Sequence, residues 1–206
     1  MSFYHDFAAY YEEVFPFRER TYAFIRRHLP ARGRILDAGC GTGHYCGRLA
    51  ADGYDALGID VDAEMIREAR HRYPRAAFRC LDVRGIGQLD PPWDGVFCIG
   101  NVAAHVPGED FTRFVRELRR LLTPGGAWIF QVVNWDAILD RTEYRFPDRS
   151  LGDGLTVFVR RYRDITERRV RFQTRLESNG RIIFEGEEVL PHEVRDLSGA
   201  SSGGRL

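Results

Sequence analysis

Three spaced acids, a run of alternate glycines and one histidine are the residues of this chain best placed to do chemistry. Asp37 ends the apolar run Ile35-Leu36 and leads into Ala38-Gly39-Cys40-Gly41-Thr42-Gly43-His44. Asp60 ends Ala56-Leu57-Gly58-Ile59, and Asp82 follows Ala77-Phe78-Arg79-Cys80-Leu81. An acid at the tip of a buried strand can accept two hydrogen bonds from a ribose diol. Glycines beside it let the backbone pass close to a ligand, because they lack a Cβ and tolerate positive φ. His105 follows the apolar run Val96-Phe97-Cys98-Ile99, beyond Gly100-Asn101, where it could take a proton from a substrate.

These residues need strands that deliver them to one edge and helices that cover the strands. The pattern predicts a buried strand at 34–38, then a helix from Tyr45 through Leu49. A second strand at 55–60 is followed by Asp62 as a helix cap, with Met65, Ile66 and Ala69 on the inner face. Strands at 77–83 and 94–99 come next. The stripe Phe111, Phe114, Val115, Leu118, Leu121, Leu122 predicts a helix, ended by Thr123-Pro124-Gly125-Gly126. Residues 127–133 then read as a buried fifth strand, with Asn134-Trp135-Asp136 at its end facing the substrate. Three successive strands ending in acids imply one shared crevice beyond their carboxyl ends. Asp90-Pro91-Pro92-Trp93 precedes its strand and so belongs at the opposite end of the sheet.

The flanks read differently. Residues 3–29 are aromatic and helical in pattern up to Pro30, with Tyr22, Ile25 and Leu29 at helical spacing. Residues 155–162 and 170–176 alternate apolar and polar side chains, and Asn179-Gly180 introduces Ile182-Ile183-Phe184, an antiparallel hairpin signal. Arg160, Arg161, Arg163, Arg168, Arg169, Arg171 and Arg175 on these strands read chiefly as a solvated face. Phosphate binding, for a nucleotide-linked substrate, is the alternative.

The ligand follows from the glycine spacing. A dinucleotide fingerprint, G-x-G-x-x-G, needs its third glycine at position 44, where this chain has His44 and places Gly43 one residue earlier. Asp37 ahead of the compact Gly39-x-Gly41-x-Gly43 resembles motif I of the class I S-adenosylmethionine-dependent methyltransferases. Asp60-Val61-Asp62-Ala63-Glu64-Met65-Ile66 resembles the segment after it, and Gly100-Asn101 with His105 resembles the "GN-x-x-x-H" stretch of glycine N-methyltransferase-like and amino-sugar N-methyltransferase-like enzymes. The resemblance covers residues 1 to about 136.

It implies an α/β fold, a Rossmann-like doubly wound, mostly parallel sheet that lacks the family's last two strands and carries an antiparallel hairpin insert after strand five. It divides the chain into an N-terminal helical lid (1–30), a cofactor-binding core (31–136), an insert or substrate wall (137–190), and a short helix start with a flexible tail (191–206). The implied cofactor is S-adenosyl-L-methionine, with S-adenosyl-L-homocysteine as product. Its implied contacts are Asp37, Gly39, Cys40 (through its backbone), Gly41, Gly43, Asp60, Val61, Met65, Asp82, Val83, Gly100 and Asn101, with Arg20 on its carboxylate. Tyr11, in the "A-x-Y-Y" segment, is the residue that closes over the methyl donor, and His105 is the candidate base. The implied reaction is methyl transfer to a small-molecule acceptor, an amine nitrogen rather than oxygen. The alternatives are a cofactor-binding scaffold without turnover, and an NAD-dependent oxidoreductase.

Composition sets outer bounds. At 206 residues the chain fits one domain. Its formal net charge is zero, so no whole-molecule field draws it to nucleic acid or membrane. All thirty of its basic residues are arginine, which removes lysine chemistry such as a Schiff base. Cys40, Cys46, Cys80 and Cys98 lack the spacing of a metal site and read as buried thiols. The expected location is the cytoplasm, and a free edge on the fifth strand calls for cover by the hairpins or by a second subunit in a homodimer.

Overall fold

A computed structural model describes residues 10–152, 154–166 and 169–191; the expectations for residues 1–9 and for the tail beyond 191 lie outside it. The described chain contains two sheets. The first is five-stranded and wholly parallel: β1 (Arg34–Ala38), β2 (Asp55–Asp60), β3 (Ala77–Cys80), β4 (Trp93–Cys98) and β5 (Leu122–Phe130), in the order β3-β2-β1-β4-β5. Strand order reverses between β1 and β4, and the crevice beyond their carboxyl ends is where open α/β sheets take ligands.

Alternation along β1 explains why helices cover both faces. Ile35 belongs to one apolar cluster with Tyr22, Ile25, Cys46, Leu49, Ile66 and Ala69. Those residues come from α2 (Glu19–His28), α3 (His44–Ala51) and α4 (Ala63–Arg72). Leu36 and Ala38 point the other way, onto Ile86 of a 3-10 turn and Phe114, Leu118 and Leu121 of α5 (Gly108–Leu121). Asp62 caps α4, its carboxylate accepting from the N–H groups of Glu64 (2.9 Å) and Met65 (3.1 Å).

The second sheet is antiparallel: β6 (Glu143–Arg145), β8 (Thr156–Arg163), β9 (Arg169–Ser178) and β10 (Arg181–Pro191) in the order β10-β9-β8-β6, with β7 (Arg149–Ser150) also on β8. Asn179 and Gly180 turn the β9–β10 hairpin with φ of 52° and 73°, the left-handed pair that a two-residue hairpin needs. One face of this sheet packs Phe158, Leu176 and Phe184 against Val14 and Met65, and Tyr162, Val170 and Leu190 against Ala104 and Trp135.

Three expectations change. The aromatic N-terminal segment breaks into α1 (Tyr11–Val14) and α2, with Phe15-Pro16-Phe17 between them, because proline cannot continue the helix. The fifth strand begins earlier than the apolar run and is half-buried rather than buried, since β5 is the sheet's edge strand and Phe130 is 40% exposed. Cys80 is exposed on the other edge strand, β3, while Cys40, Cys46 and Cys98 are buried. No described helix is long and apolar enough to cross a membrane.

Candidate functional site

The loop after β1 is shaped by what it cannot hold. Gly39, Gly41 and Gly43 have φ of 84°, 54° and 83°. A Cβ on Gly39 would lie 2.4 Å from Val102 Cγ2, and one on Gly43 2.5 Å from the Phe78 ring. The loop is pinned from β2: the N–H groups of Gly39 and Cys40 both donate to Ile59 O, at 2.8 and 2.9 Å. Asp60 accepts the Gly41 N–H (2.9 Å) on one carboxylate oxygen and the Asp62 N–H (3.0 Å) on the other. Gly43 then starts α3.

Against this loop lies a cavity of about 320 Å³, within the usual range for small-ligand sites of about 300–1,000 Å³. Asp37, Gly39 and Cys40 form its floor, Ile99, Gly100 and Asn101 come from the end of β4, and Tyr11 and Arg18 from the N-terminal segment. The antiparallel sheet supplies the far wall through Arg160, Tyr162, Phe172 and Thr174. The Tyr11 ring sits over Gly41, whose added Cβ would be 2.8 Å from its hydroxyl.

Two polar atoms of the cavity lining, Asp37 Oδ1 and His44 Nδ1, are buried without a partner. Asp37 is 2% exposed and its Oδ1 accepts no hydrogen bond. Burial and the nearby Asp60 push its carboxyl well above the usual carboxylate range, opposed by the backbone N–H of Cys46. His44, at the start of α3, has an unpartnered Nδ1, and burial lowers its pKa, which keeps the ring neutral. It packs against Tyr45 (4.4 Å between centroids) and edge-on to Phe17 (6.2 Å).

His105 lines the same cavity, half-buried, and its Nδ1 lies 3.1 Å from Glu188 Oε1 on β10. Asn101, at φ 72°, ties the two sheets together. Its Oδ1 accepts the Val133 N–H (3.0 Å) and its Nδ2 donates to the Tyr162 hydroxyl (3.4 Å).

The structure therefore brings together Asp37, Gly39, Cys40, Gly100, Asn101, His105 and Tyr11. Cys40 offers less backbone than its place in the loop suggests, because its N–H is held by Ile59 and its carbonyl accepts the Gly43 N–H at 2.9 Å. Asp60 stands behind the loop rather than in the cavity, with exposed Val61 beside it, and Met65 is core. Asp82 faces a separate shallow groove, where Arg84 holds it in an ion pair of 2.6 Å and lowers its pKa; Val83 packs inward. Arg20 is exposed and away from the cavity; Arg18 lines it instead. Trp135 turns into the core under Tyr162, so Asn134-Trp135-Asp136 do not line the cavity as expected, whereas Gln131 and Val133 just before them do.

Arg18, Arg149 and Glu188 were missing from the sequence reading, and Arg160 was grouped there with the arginines of a solvated face although it lines the cavity. Period-two alternation could have found Arg160. On β8 it shares a face with Phe158 and Tyr162, whereas Arg161 and Arg163 point outward to Glu143. Arg171 and Arg175, on β9, likewise pair on the outer face with Glu187 and Glu177.

Residues 35–126 match the family profile described as "Methyltransferase domain". A putative methyltransferase, YqeM, of Bacillus subtilis (strain 168) is 31% identical over 157 residues, 73% of this chain and 62% of that protein. The dTDP-4-amino-2,3,4,6-tetradeoxy-D-glucose N,N-dimethyltransferase of Saccharopolyspora spinosa is 28% identical over 135 residues, 61% of this chain and 54% of that one. The chain thus spans between half and two thirds of the length of these relatives. Among solved structures, SAM-bound CalS10, an amino pentose methyltransferase from Micromonospora echinaspora, aligns over 98% of this chain and 84% of its own with a TM-score of 0.68 at 22% identity. The chain is thus similar in sequence to methyltransferases, with residues 35–126 the part that matches the methyltransferase-domain profile, and its fold is that of the class I S-adenosylmethionine-dependent enzymes.

Proposed function

We propose that this protein transfers a methyl group from S-adenosylmethionine to an amine nitrogen of a small molecule. One observation carries the reading: the glycine loop after β1 and His105, which is paired with Glu188, line a single cavity. The relatives support the nitrogen, since the Saccharopolyspora spinosa protein is named as an N,N-dimethyltransferase of an amino sugar.

The residues fit the cofactor. The buried, unpartnered Oδ1 of Asp37 suits a cationic group, and the side-chain-free backbone at Gly39 and Gly41 admits a ligand under Tyr11. When bound, the cofactor supplies an electrophilic methyl group on a sulfonium. The chain contributes orientation, exclusion of water and one proton acceptor. Tyr11 and the aromatic wall of Phe158, Tyr162 and Phe172 keep water from the cavity. Glu188 accepts from His105 Nδ1–H, which fixes the tautomer and leaves Nε2 with the lone pair that can take the acceptor's proton. No metal is called for, and among the described residues no cluster could hold one.

Calorimetric titration with S-adenosylhomocysteine and with NAD tests the cofactor: we expect the first to bind and the second not to. A screen of amines and amino sugars with labelled methyl donor tests turnover. Tight S-adenosylhomocysteine binding with no transfer to any acceptor would instead favour a scaffold.

A further inference from the structure

The cavity is over-supplied with positive charge. Among the described lining residues, three are arginines, Arg18, Arg149 and Arg160, and Asp37 is the one carboxylate. None of the three arginines makes an ion pair with a described residue, although the outward-facing Arg161, Arg163, Arg171 and Arg175 of the same sheet all do. Arg160 is the sharpest case. Its Nε is buried with no hydrogen-bond partner, and its guanidinium is held among the Phe146, Phe15 and Phe158 rings at 4.8, 5.3 and 5.8 Å. Arg149 stacks on the same Phe15 ring at 4.9 Å and spends one donor on Val14 O. Burial and neighbouring arginines lower the pKa of both, that of Arg160 to about 10.

Arg149 and Arg160 are half-buried, and charge of one sign gathered there without a counter-ion, against aromatic faces, is costly unless a ligand completes it. The cofactor cannot do so alone. S-adenosylmethionine brings one carboxylate, enough for one guanidinium, but also an ammonium and a sulfonium. Arg18, on the N-terminal segment, stands close enough to Arg149 and Arg160 to lower the pKa of both, so the three make one positive cluster and a single carboxylate leaves two of them uncompensated. Arg149 and Arg160, on β7 and β8, are the two held against aromatic rings.

We infer that Arg149 and Arg160 form an anion-binding subsite for the methyl acceptor, so that the acceptor is an amine that also carries an oxyanion, a phosphate or a carboxylate. This rests on the methyltransferase reading of the same cavity. The planar guanidinium of Arg160, fixed by three rings, presents its donors as a fork that suits two oxygens of such a group.

The test is calorimetric titration of the full chain with inorganic phosphate, pyrophosphate and acetate, with and without saturating S-adenosylhomocysteine. The expected result is saturable binding of at least one anion, weakened about tenfold or more in Arg160→Gln and in Arg149→Gln. Arg160→Lys should fall between, keeping the charge but not the fork. S-adenosylhomocysteine affinity should be unchanged in all three variants. Preference for the phosphates over acetate assigns a phosphorylated acceptor, and the reverse a carboxylated one. No saturable anion binding to the parent protein, or binding untouched in both glutamine variants, overturns the subsite. Arg149→Gln decides the matter if Arg160→Gln does not fold. Anion binding that survives while S-adenosylhomocysteine fails to bind keeps the subsite and removes the methyltransferase reading instead.

Discussion

Asp37 shows how a single residue couples ligand, proton and stability. Its carboxyl is held above the ordinary value of 3.8 by burial. The folded chain therefore keeps a proton that the unfolded chain gives up, and the free energy of unfolding falls as pH rises from about 4 toward the folded value. Asn has the same shape and cannot ionise. Without ligand, Asp37→Asn should melt higher than the parent at pH 8 and with a flatter pH dependence between pH 5 and 8. With S-adenosylhomocysteine the order should reverse, because the ligand's ammonium loses its carboxylate, and affinity should drop about tenfold or more. Thermal melts at both pH values, with and without ligand, check this; equal pH slopes in the two proteins would mean that Asp37 is already ionised in the free fold.

Among elements, the N-terminal segment packs directly on the glycine loop. Gly41 takes φ 54° directly beneath the Tyr11 ring, so an added methyl group meets both backbone strain and that ring. Gly41→Ala should cost about 1–3 kcal/mol from the left-handed backbone alone, and more from the clash. In a Tyr11→Ala background the clash is absent, so the two losses should sum to more than the double variant shows. Urea unfolding of the four proteins gives the coupling, and strict additivity would place the ring elsewhere. The N-terminal helix has its own anchor. Glu12 accepts from the hydroxyls of Thr42 and Tyr73, each at 3.0 Å, and pairs with Arg72 at 3.3 Å. That clasp fixes α1 to the start of α3 and the end of α4, which is why Tyr11 lies on the loop.

At the scale of the molecule, the site exists because two sheets meet. His105 comes from the turn after β4 and Glu188 from β10, 83 residues apart in sequence, and Asn101 bonds to Tyr162 across the same seam. Glu188→Gln keeps the size of the partner and removes its charge. It should lower kcat by between about tenfold and a hundredfold while leaving S-adenosylhomocysteine affinity unchanged, since the loop that binds it belongs to the parallel sheet alone. Steady-state kinetics beside calorimetry separates these effects. A loss of cofactor affinity equal to the loss of kcat would show that the seam supports the loop rather than the chemistry.

The parallel core was legible in the chain because each local signal there agrees with its neighbours. Apolar runs end in acids, glycines stand where φ must be positive, and Asp62 caps α4 as its spacing says. Such signals act over a few residues and need no distant partner. The antiparallel wall was legible as a hairpin but not as part of a site. A strand shows its two faces alike until something packs on one of them, so Arg160 and Arg161 are neighbours in sequence and face opposite sides of the sheet. Sequence alone thus determined the fold and the floor of the cavity. Tertiary packing decided which arginines face inward, that Arg18 rather than Arg20 reaches the cavity, and that Glu188 stands behind His105. Those assignments depend on register and on docking between elements far apart along the chain, where no local rule applies.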